Sequence, residues 1–245
     1  YSGTLSASDV DGDALTYSVL TSPSNGSLSL SGSVGYSLSF DGVDDYVMVS
    51  HDASLSLADF SVTFWMKTTA TSMNGLVSKD CGGGCEADGE WWIDMGHMGG
   101  AGEVNLYVIK GNSQLGVLAN QIINDDQWHF IAATRDGTTG EQNISIDGQI
   151  AVTVTNGPTG QLIDPSPLLF GYTYIGDIYY YTGNLDEIRI WNIALTQEQI
   201  QTHMNVALSG DETGLVGYWN FNDGSGSTVS DLSGNGNNGT INGAT

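Results

Sequence analysis

Three aspartates lie within five residues in the stretch FDGVDDYV, as Asp41, Asp44 and Asp45. Carboxylates this close repel one another, and the apolar run that follows them is typical of a half-buried strand. Three arrangements could account for such a group: a bound cation, a solvated turn, or a catalytic pair of acids. A cation here would be a hard one such as Ca²⁺, which prefers oxygen ligands and could also use the carbonyl of Gly42.

Two further groups of oxygen-bearing side chains could meet a cation, and each could equally form a plain turn. They are Asp9, Asp11 and Asp13 in DVDGD, and Asp231, Asn235 and Asn237 in DLSGNGN. The first group lacks the full spacing and the terminal Glu of an EF-hand loop. The second group contains an Asn-Gly pair, which favours a turn.

Motifs for catalysis are scarce. The sequence has no HExxH, no GxSxG and no Cys/His pairing. Glycoside hydrolysis needs two carboxyl groups that flank a cleft. Glu86, Asp88 and Glu90 alternate along the chain, but they follow a glycine-rich stretch that reads as a loop. We therefore predict that the protein is not an enzyme.

The charge balance restricts the partners. The 245 residues include 28 Asp and Glu against 5 Lys and Arg, a net charge of −23. Long-range repulsion opposes contact with nucleic acid and with anionic membrane surfaces, whereas cations are attracted. No apolar run is long enough to span a bilayer, so membrane insertion is not expected.

Both cysteines, Cys81 and Cys85, lie in the stretch KDCGGGCEADG. Three intervening glycines allow a small disulfide ring, which would stiffen this loop and indicate an extracellular or periplasmic location. A free or metal-bound pair is the alternative, although a zinc site would need two more soft ligands.

Adjacent aromatic residues are candidates for sugar recognition, in which a ring stacks on the apolar face of a sugar. The candidates are Trp91, Trp92, Tyr179, Tyr180 and Tyr181. Neighbouring residues of a strand point to opposite faces, so at least one of each group should face outward. The alternative is that these rings fill the core or pack in loops.

Short alternating segments separated by Gly, Asn, Asp and Ser predict an all-β protein. Residues 60–68, 127–136 and 143–154 alternate apolar and polar side chains, and Asp147-Gly148 favours a hairpin turn. Regular strand spacing indicates an antiparallel sandwich. One short helix is predicted near 195–205, because Thr196 and Gln199 have capping-box spacing.

Several phrases, in order, resemble the laminin G-like and pentraxin-like family of concanavalin A-type sandwiches. They are LSFDGVDDYV, FSVTFWMK, QWHFIAATRDG, GNLDEIRIWNIALTQEQI and GLVGYWNFNDGSGSTVSDLSGNGNNGTING. The resemblance covers about residues 36–245 and implies a jelly-roll fold. It also implies a Ca²⁺ site at the rim of the sandwich, where Asp41, Gly42, Asp44 and Asp45 would be joined by Asp186 and Glu187 of a late strand.

The termini raise a separate question. Residues 1–33 are similar to part of a bacterial cadherin-like or immunoglobulin-like adhesin repeat, and they are too few to hold a core of their own. We expect a division into residues 1–33, which could also pair with another subunit, and a sandwich over residues 34–245. Residues 214–245 could close this sandwich or supply strands to a neighbouring copy.

Together these observations predict a secreted, calcium-stabilised, non-catalytic binding or adhesion module of a larger bacterial surface protein. Its expected partner is a glycan or glycoprotein. The alternative is a structural subunit of an extracellular filament or array, in which terminal segments are exchanged between neighbouring copies of the protein.

Overall fold

A computed structural model of the protein describes residues 36–80, 89–175 and 177–245. The predictions that concern residues 1–33, including Asp9, Asp11 and Asp13, and the disulfide between Cys81 and Cys85 fall outside these residues. Among the described residues, no helix has the length and apolar character needed to cross a bilayer.

Seventeen strands, one α-helix and one short 3₁₀ helix make up the described fold. In chain order they are β1 (Leu38–Asp41), β2 (Tyr46–Val49), the 3₁₀ helix (Ala53–Leu55), β3 (Phe60–Lys67), β4 (Asn74–Lys79), β5 (Trp91–Met95), β6 (Glu103–Lys110), β7 (Ser113–Ile122), β8 (His129–Arg135), β9 (Gln142–Ile146), β10 (Gln149–Val154), β11 (Leu168–Phe170), β12 (Tyr172–Tyr174), β13 (Ile178–Tyr180), β14 (Thr182–Trp191), α1 (Gln197–Met204), β15 (Leu215–Trp219), β16 (Thr228–Val229) and β17 (Gly239–Asn242).

Two antiparallel sheets form the sandwich. One sheet runs β1-β14-β3-β8-β9-β10, with β15 also paired to β14, and the other runs β16-β17-β2-β11-β4-β5-β6-β7. Strands β12 and β13 form a separate hairpin. The predicted all-β antiparallel jelly-roll sandwich with one short helix is confirmed.

The alternation of side chains along each strand builds the core. Phe60, Val62, Phe64 and Met66 of β3 are fully buried between the sheets, as their period-two spacing predicts. The opposite face of this sheet is covered as well, because Ile200 of α1 packs there in a second apolar cluster. Both faces of β3 are therefore largely buried.

Local signals in the sequence set two of the boundaries. Helix α1 begins after Thr196, whose hydroxyl accepts the N–H of Gln199, while the side chain of Gln199 accepts the N–H of Thr196. The turn between β9 and β10 is Asp147-Gly148, and both residues have positive φ, at 51° and 73°. The predicted capping box and hairpin are both present.

Residues 214–245 complete their own sandwich. Strand β15 pairs with β14 in one sheet, and β17 pairs with β2 in the other. Trp219 of β15 is fully buried, and its indole N–H donates to the carbonyl of Asn237 at 2.9 Å. Residues 214–245 therefore contribute strands to both sheets of the sandwich.

Candidate functional site

The loop between β1 and β2 brings three carboxylates together. One carboxylate oxygen from each of Asp41, Asp44 and Asp45 lies within 4.8 Å of the others. The loop also holds its own shape: Asp45 Oδ2 accepts the N–H of Asp41 at 2.8 Å, and Asp41 Oδ1 accepts the N–H of Val43 at 2.8 Å. Asp41 and Asp44 are exposed, whereas Asp45 is buried.

Glycine is needed at position 42 for the loop to close on the neighbouring strand. Gly42 has a φ of +83°, and a Cβ placed on it would lie 2.0 Å from Oγ1 of Thr182 in β14. An L-residue would therefore be strained by its backbone and would also collide with Thr182. This close approach fixes the acidic loop against the start of β14.

The electrostatics of the loop favour a cation. Burial raises the pKa of the Asp45 carboxyl, and the charges of Asp41 and Asp44 raise it further. A positive ion would relieve both effects, and the donor set of carboxylate oxygens suits a hard cation. The residues of the loop thus fit the Ca²⁺ expected from the sequence.

The structure places Asp186 and Glu187 away from this loop. In the β1–β14 pairing Asp41 lies opposite Thr182, whereas Asp186 lies four residues further along β14, about 13 Å at 3.3 Å per residue. Glu187 accepts hydrogen bonds from the buried Arg189 and from the hydroxyl of Tyr218. The register of β14 therefore does not bring Asp186 and Glu187 to the three aspartates of the β1–β2 loop.

The group around Asp231 works as a loop anchor. Asp231 Oδ1 accepts the N–H of Tyr218 at 3.0 Å, and Oδ2 accepts the N–H of Asn237 at 2.9 Å. The side chains of Asn235 and Asn237 both donate to the carbonyl of Val216 in β15. These residues tie residues 231–237 to β15 through their side chains.

The two adjacent tryptophans do not form an open platform. Trp91 faces the core and stacks on Phe60, with ring centroids 5.1 Å apart. Trp92 points to the opposite face of its sheet, as the alternation requires, but it stacks on Tyr107 at 4.7 Å and is only 5% exposed. The expectation that one of them stands open to solvent is wrong, because the outer face of the sheet is itself covered here.

The three adjacent tyrosines differ in their exposure. Tyr181 is buried in the core, and its hydroxyl donates to the carbonyl of Lys67 at 3.0 Å. Tyr179 and Tyr180 are partly exposed in β13. Of the three tyrosines, only Tyr180 lines the surface pocket described next.

That pocket has a volume of about 240 Å³ and is lined by Tyr46, Leu169, Tyr172 and Tyr180; we call it the tyrosine pocket. The Tyr172 ring lies 5.9 Å from that of Tyr46 and 5.3 Å from that of Tyr180, between centroids. Tyr46, Leu169 and Tyr172 were not among the residues predicted from the sequence. The signal for Tyr172 was the symmetric spacing in YTYIGDIYY, which pairs it with Tyr180 across a hairpin.

The acidic loop and the tyrosine pocket are contiguous. Tyr46 follows Asp45 directly at the start of β2. On the other side, Tyr180 precedes Thr182 by two residues, and Thr182 pairs with Asp41. The cation-compatible loop and the aromatic pocket therefore lie side by side at one end of the sandwich.

Comparisons with known proteins agree with this architecture. Residues 41–201 match the family model of the concanavalin A-like lectin/glucanases superfamily, of laminin G type. No curated protein matches the sequence.

Three solved structures share the fold. A putative carbohydrate binding protein from Bacteroides ovatus has a TM-score of 0.67 at 17% identity, over 86% of this chain and 59% of its own. A heptameric SAP-like pentraxin from Limulus polyphemus has a TM-score of 0.52 at 17% identity, over 68% of this chain and 80% of its own. Domains LG4-5 of the mouse laminin α1 chain have a TM-score of 0.51 at 16% identity, over 75% of this chain and 48% of their own.

The present chain thus spans 59% of the length of the Bacteroides ovatus protein. The family model covers residues 41–201, and β15 and β17 beyond it complete both sheets of the same sandwich. The chain belongs to the concanavalin A-like lectin/glucanases superfamily.

Proposed function

We propose that the protein is a non-catalytic, lectin-like module that binds a glycan or glycoprotein in the tyrosine pocket, next to a Ca²⁺ ion held by the acidic loop. The observation that carries this proposal is the contiguity of the two features: Tyr46 of the pocket follows Asp45 of the loop. The Bacteroides ovatus protein of the same fold is described as a putative carbohydrate binding protein, which supports the same ligand class.

The pocket has the character of a sugar subsite. Three tyrosines and one leucine line it, so the lining combines apolar ring surface with three phenolic hydroxyl groups. Sugar recognition combines an aromatic face with a few polar groups that fix orientation. A volume of about 240 Å³ lies below the range of pockets for drug-sized ligands, which favours a single terminal sugar unit.

The acidic loop would hold the ion through Asp41, Asp44 and Asp45. A bound Ca²⁺ would supply positive charge and open positions for further oxygen ligands, such as sugar hydroxyls. The chain's own contribution is to position this loop: Gly42 packs against Thr182, and the N–H of Asp41 fixes the Asp45 carboxylate.

A binding role suits the pocket better than catalysis. Its lining side chains, three tyrosines and a leucine, include no carboxyl and no imidazole group. Hydrolysis of a glycosidic bond requires an acid and a second carboxylate on opposite sides of the bond. An extracellular location at a bacterial surface belongs to the same proposal, since calcium and glycans are both abundant there.

The alternative function is a filament subunit that exchanges terminal segments with its neighbours, and one of the two candidate segments is already paired within the chain. Residues 214–245 pair within their own sandwich through β15 and β17. A self-assembly role would then depend on residues 1–33 alone. We therefore retain glycan binding as the proposed function.

The test of the ligand is a glycan array probed with the wild-type protein, with Tyr180→Ala and with Tyr179→Ala. Tyr179 is the matched control, because it is an adjacent, partly exposed tyrosine of the same strand that does not line the pocket. We expect binding that is lost in Tyr180→Ala and kept in Tyr179→Ala. Silence of the wild type across the array, or equal loss in both variants, would contradict the proposal.

The calcium part has a separate test by isothermal titration of metal-free protein with CaCl₂. Asp44→Asn removes an exposed carboxylate of the loop and should weaken Ca²⁺ binding, whereas Asp186→Asn should leave it unchanged. An unchanged affinity in Asp44→Asn would show that the acidic loop is a solvated turn. Weaker Ca²⁺ binding by Asp186→Asn would show that β14 contributes to the site.

A further inference from the structure

A second group of side chains on the outer face of the eight-stranded sheet has unmet hydrogen-bonding capacity. Trp92 and Asp94 project from β5, and the residues opposite them in β6 are Tyr107 and Asn105. Period-two alternation puts all four on the face away from the core, while Trp91, Ile93 and Leu106 point inward. We call Trp92, Asp94, Asn105 and Tyr107 the β5–β6 cluster.

Three buried polar atoms of this cluster lack a well-formed hydrogen bond, although the Trp92 indole N–H lies near the Asp94 carboxylate. They are Trp92 Nε1, Asp94 Oδ2 and Asn105 Oδ1. Asp94 and Asn105 are fully buried, and Trp92 is 5% exposed. A buried polar atom without a well-formed hydrogen bond destabilises the fold, so a group of them in one place calls for an explanation. The Asn105 amide and the Asp94 carboxylate are also bonded directly to each other, because Asn105 Nδ2 donates to Asp94 Oδ1 at 2.9 Å.

The loop between β5 and β6, residues 96–102, folds back over this cluster. The sequence of the loop is GHMGGAG, and it is largely exposed apart from its last residue, Gly102. The His97 ring lies 6.4 Å from that of Trp92 and 6.0 Å from that of Tyr107, between centroids. Its Nδ1 lies 3.5 Å from Asp94 Oδ2, which is within ion-pair distance when the imidazole is protonated but longer than a good hydrogen bond.

Side-chain and backbone contacts hold the loop on the sheet. The side chain of Met98 packs where Gly116 and Tyr107 leave room, and a Cβ on Gly116 would lie 2.2 Å from its sulfur. The His97 N–H donates to Asp94 Oδ1 at 3.2 Å. Four glycines give the loop the conformational freedom to move away, and its two ends are joined by the N–H of Gly96 and the carbonyl of Glu103 at 3.0 Å.

The chemistry of the unpaired atoms defines the ligand class. One is a donor, the indole N–H, and two are acceptors, a carboxylate oxygen and an amide oxygen. A metal ion or an ammonium group would satisfy the two acceptors but leave the donor unmet. A hydroxyl group both accepts and donates, and two neighbouring hydroxyls on one ring would meet all three atoms.

We propose that the β5–β6 cluster is a second ligand site, for a sugar ring, and that residues 96–102 form its lid. In the closed state the His97 ring occupies the position of the sugar, in contact with both aromatic rings and the Asp94 carboxylate. The ligand displaces His97, accepts the indole N–H of Trp92, and donates hydroxyl groups to Asp94 and Asn105.

The second site shares its ligand class with the proposed function but shares no residue with the tyrosine pocket. Strand β12 lies between the two: Tyr172 and Thr173 pack over Gly75 of β4, where a Cβ would lie 2.3 Å from the Thr173 nitrogen. Ser78 of β4, opposite Trp92, donates to the carbonyl of Tyr172 at 2.8 Å. The two sites thus lie on one face, on either side of the β12–β13 hairpin.

The experiment follows the indole N–H of Trp92 by ¹⁵N-HSQC, with the resonance assigned from its absence in Trp92→Phe. The probes are neutral mono- and disaccharides of glucose, galactose, mannose, xylose and N-acetylglucosamine. We expect at least one sugar to shift the Trp92 resonance in the wild type and in Tyr180→Ala. Failure of the tyrosine pocket alone would leave this response intact, so the two proposals are distinguishable.

Two variants test the geometry by isothermal titration with the responding sugar. Trp92→Phe keeps an aromatic ring but removes the donor, and it should weaken binding about tenfold. His97→Ala removes the competing ring and should tighten binding about two- to fivefold, because less of the protein is held in the closed state.

Four results would overturn the inference. A Trp92 resonance that ignores every sugar would mean that the cluster holds no more than bound water. A response to CaCl₂ or to ammonium salts instead of sugars would assign the site to a cation. Unchanged affinity in Trp92→Phe would remove the indole N–H from the site, and weaker binding in His97→Ala would make His97 part of the site and not its lid.

Discussion

Asp186 in β14 has a partly buried carboxyl group whose pKa is raised to about 7. Burial is the main cause, and the neighbouring charge of Glu187 adds to it. Removing the negative charge of this group should therefore stabilise the protein at alkaline pH. The change that we propose is Asp186→Asn. It removes the charge but keeps the Oδ1 atom that accepts the N–H of Glu187 at 2.7 Å.

The magnitude follows from linkage between protonation and folding. The ordinary pKa is 3.8, so the folded state holds a proton on Asp186 at pH values where the unfolded chain has lost it. Stability therefore falls as the pH rises from about 4 to about 7, and the loss is complete above pH 7. One pKa unit corresponds to about 1.36 kcal/mol, which sets an upper limit of about 4 kcal/mol for Asp186. Solvent near this partly buried group lowers our expectation to about 1–3 kcal/mol.

The assay is urea unfolding at pH 4.0 and pH 8.5, in EGTA, for the wild type, Asp186→Asn and Asp177→Asn. Asp177 is a matched control, because it is exposed and its Oδ1 likewise accepts the N–H of the following residue, at 2.8 Å. We expect Asp186→Asn to raise the free energy of unfolding at pH 8.5 and to change it little at pH 4.0. Asp177→Asn should have a small effect at both pH values.

Equal effects of Asp186→Asn at the two pH values would show that the charge of Asp186 is not penalised by the fold. A loss of stability at pH 8.5 would mean that the carboxylate has a favourable partner there. Either result would refute the reasoning from burial. A stabilisation of the control as large as that of Asp186→Asn would instead trace the effect to the net charge of −23.

Three further predictions concern the contacts around the sheets. Glu187→Gln should destabilise the protein by about 3–5 kcal/mol in urea unfolding, because it leaves the buried guanidinium of Arg189 without its charged partner; an effect below 1 kcal/mol would mean that other acceptors compensate. Burial alone lowers the pKa of His129, but hydrogen bonds to Asp147 and Asp125 outweigh it and raise the pKa above 6.5. His129→Gln should therefore reduce stability below pH 6.5, with a deficit that shrinks as the pH rises through the folded-state pKa, and a pH-independent difference between the two proteins would contradict this. Thr196→Ala should cost about 1 kcal/mol in thermal unfolding through loss of the helix cap, and an unchanged midpoint would show that packing alone holds α1.

The sequence determined the class of fold and much of its local structure. Alternating side chains along β3 identified which residues face the core, since the period of a strand is two in any sandwich. The spacing of Thr196 and Gln199, and the pair Asp147-Gly148, identified a helix start and a hairpin, because caps and turns depend on neighbouring residues alone. The acidic loop was also evident, as its three carboxylates are close in the chain.

The tertiary structure decided which distant residues meet. Register along β14 put Thr182, and not Asp186, opposite Asp41, and a shift of four residues moves a side chain about 13 Å. No feature of the sequence around NLDEIRIW sets that register, because it arises from the pairing of whole strands. The same holds for the contact of Glu187 with Tyr218, which lies in the paired strand β15, whereas Arg189 is two residues away in β14 itself.

Exposure was the other property that the sequence could not supply. Alternation correctly put Trp92 on the outer face, but the outer face is covered by the glycine-rich loop that carries His97. Tyr180 remains partly exposed in a hairpin that holds it beside Tyr172, and the fold brings the distant Tyr46 to the same pocket. A pattern of side chains fixes the face of a sheet on which a residue lies, whereas the packing of the remaining chain on that face decides whether a ligand can reach it.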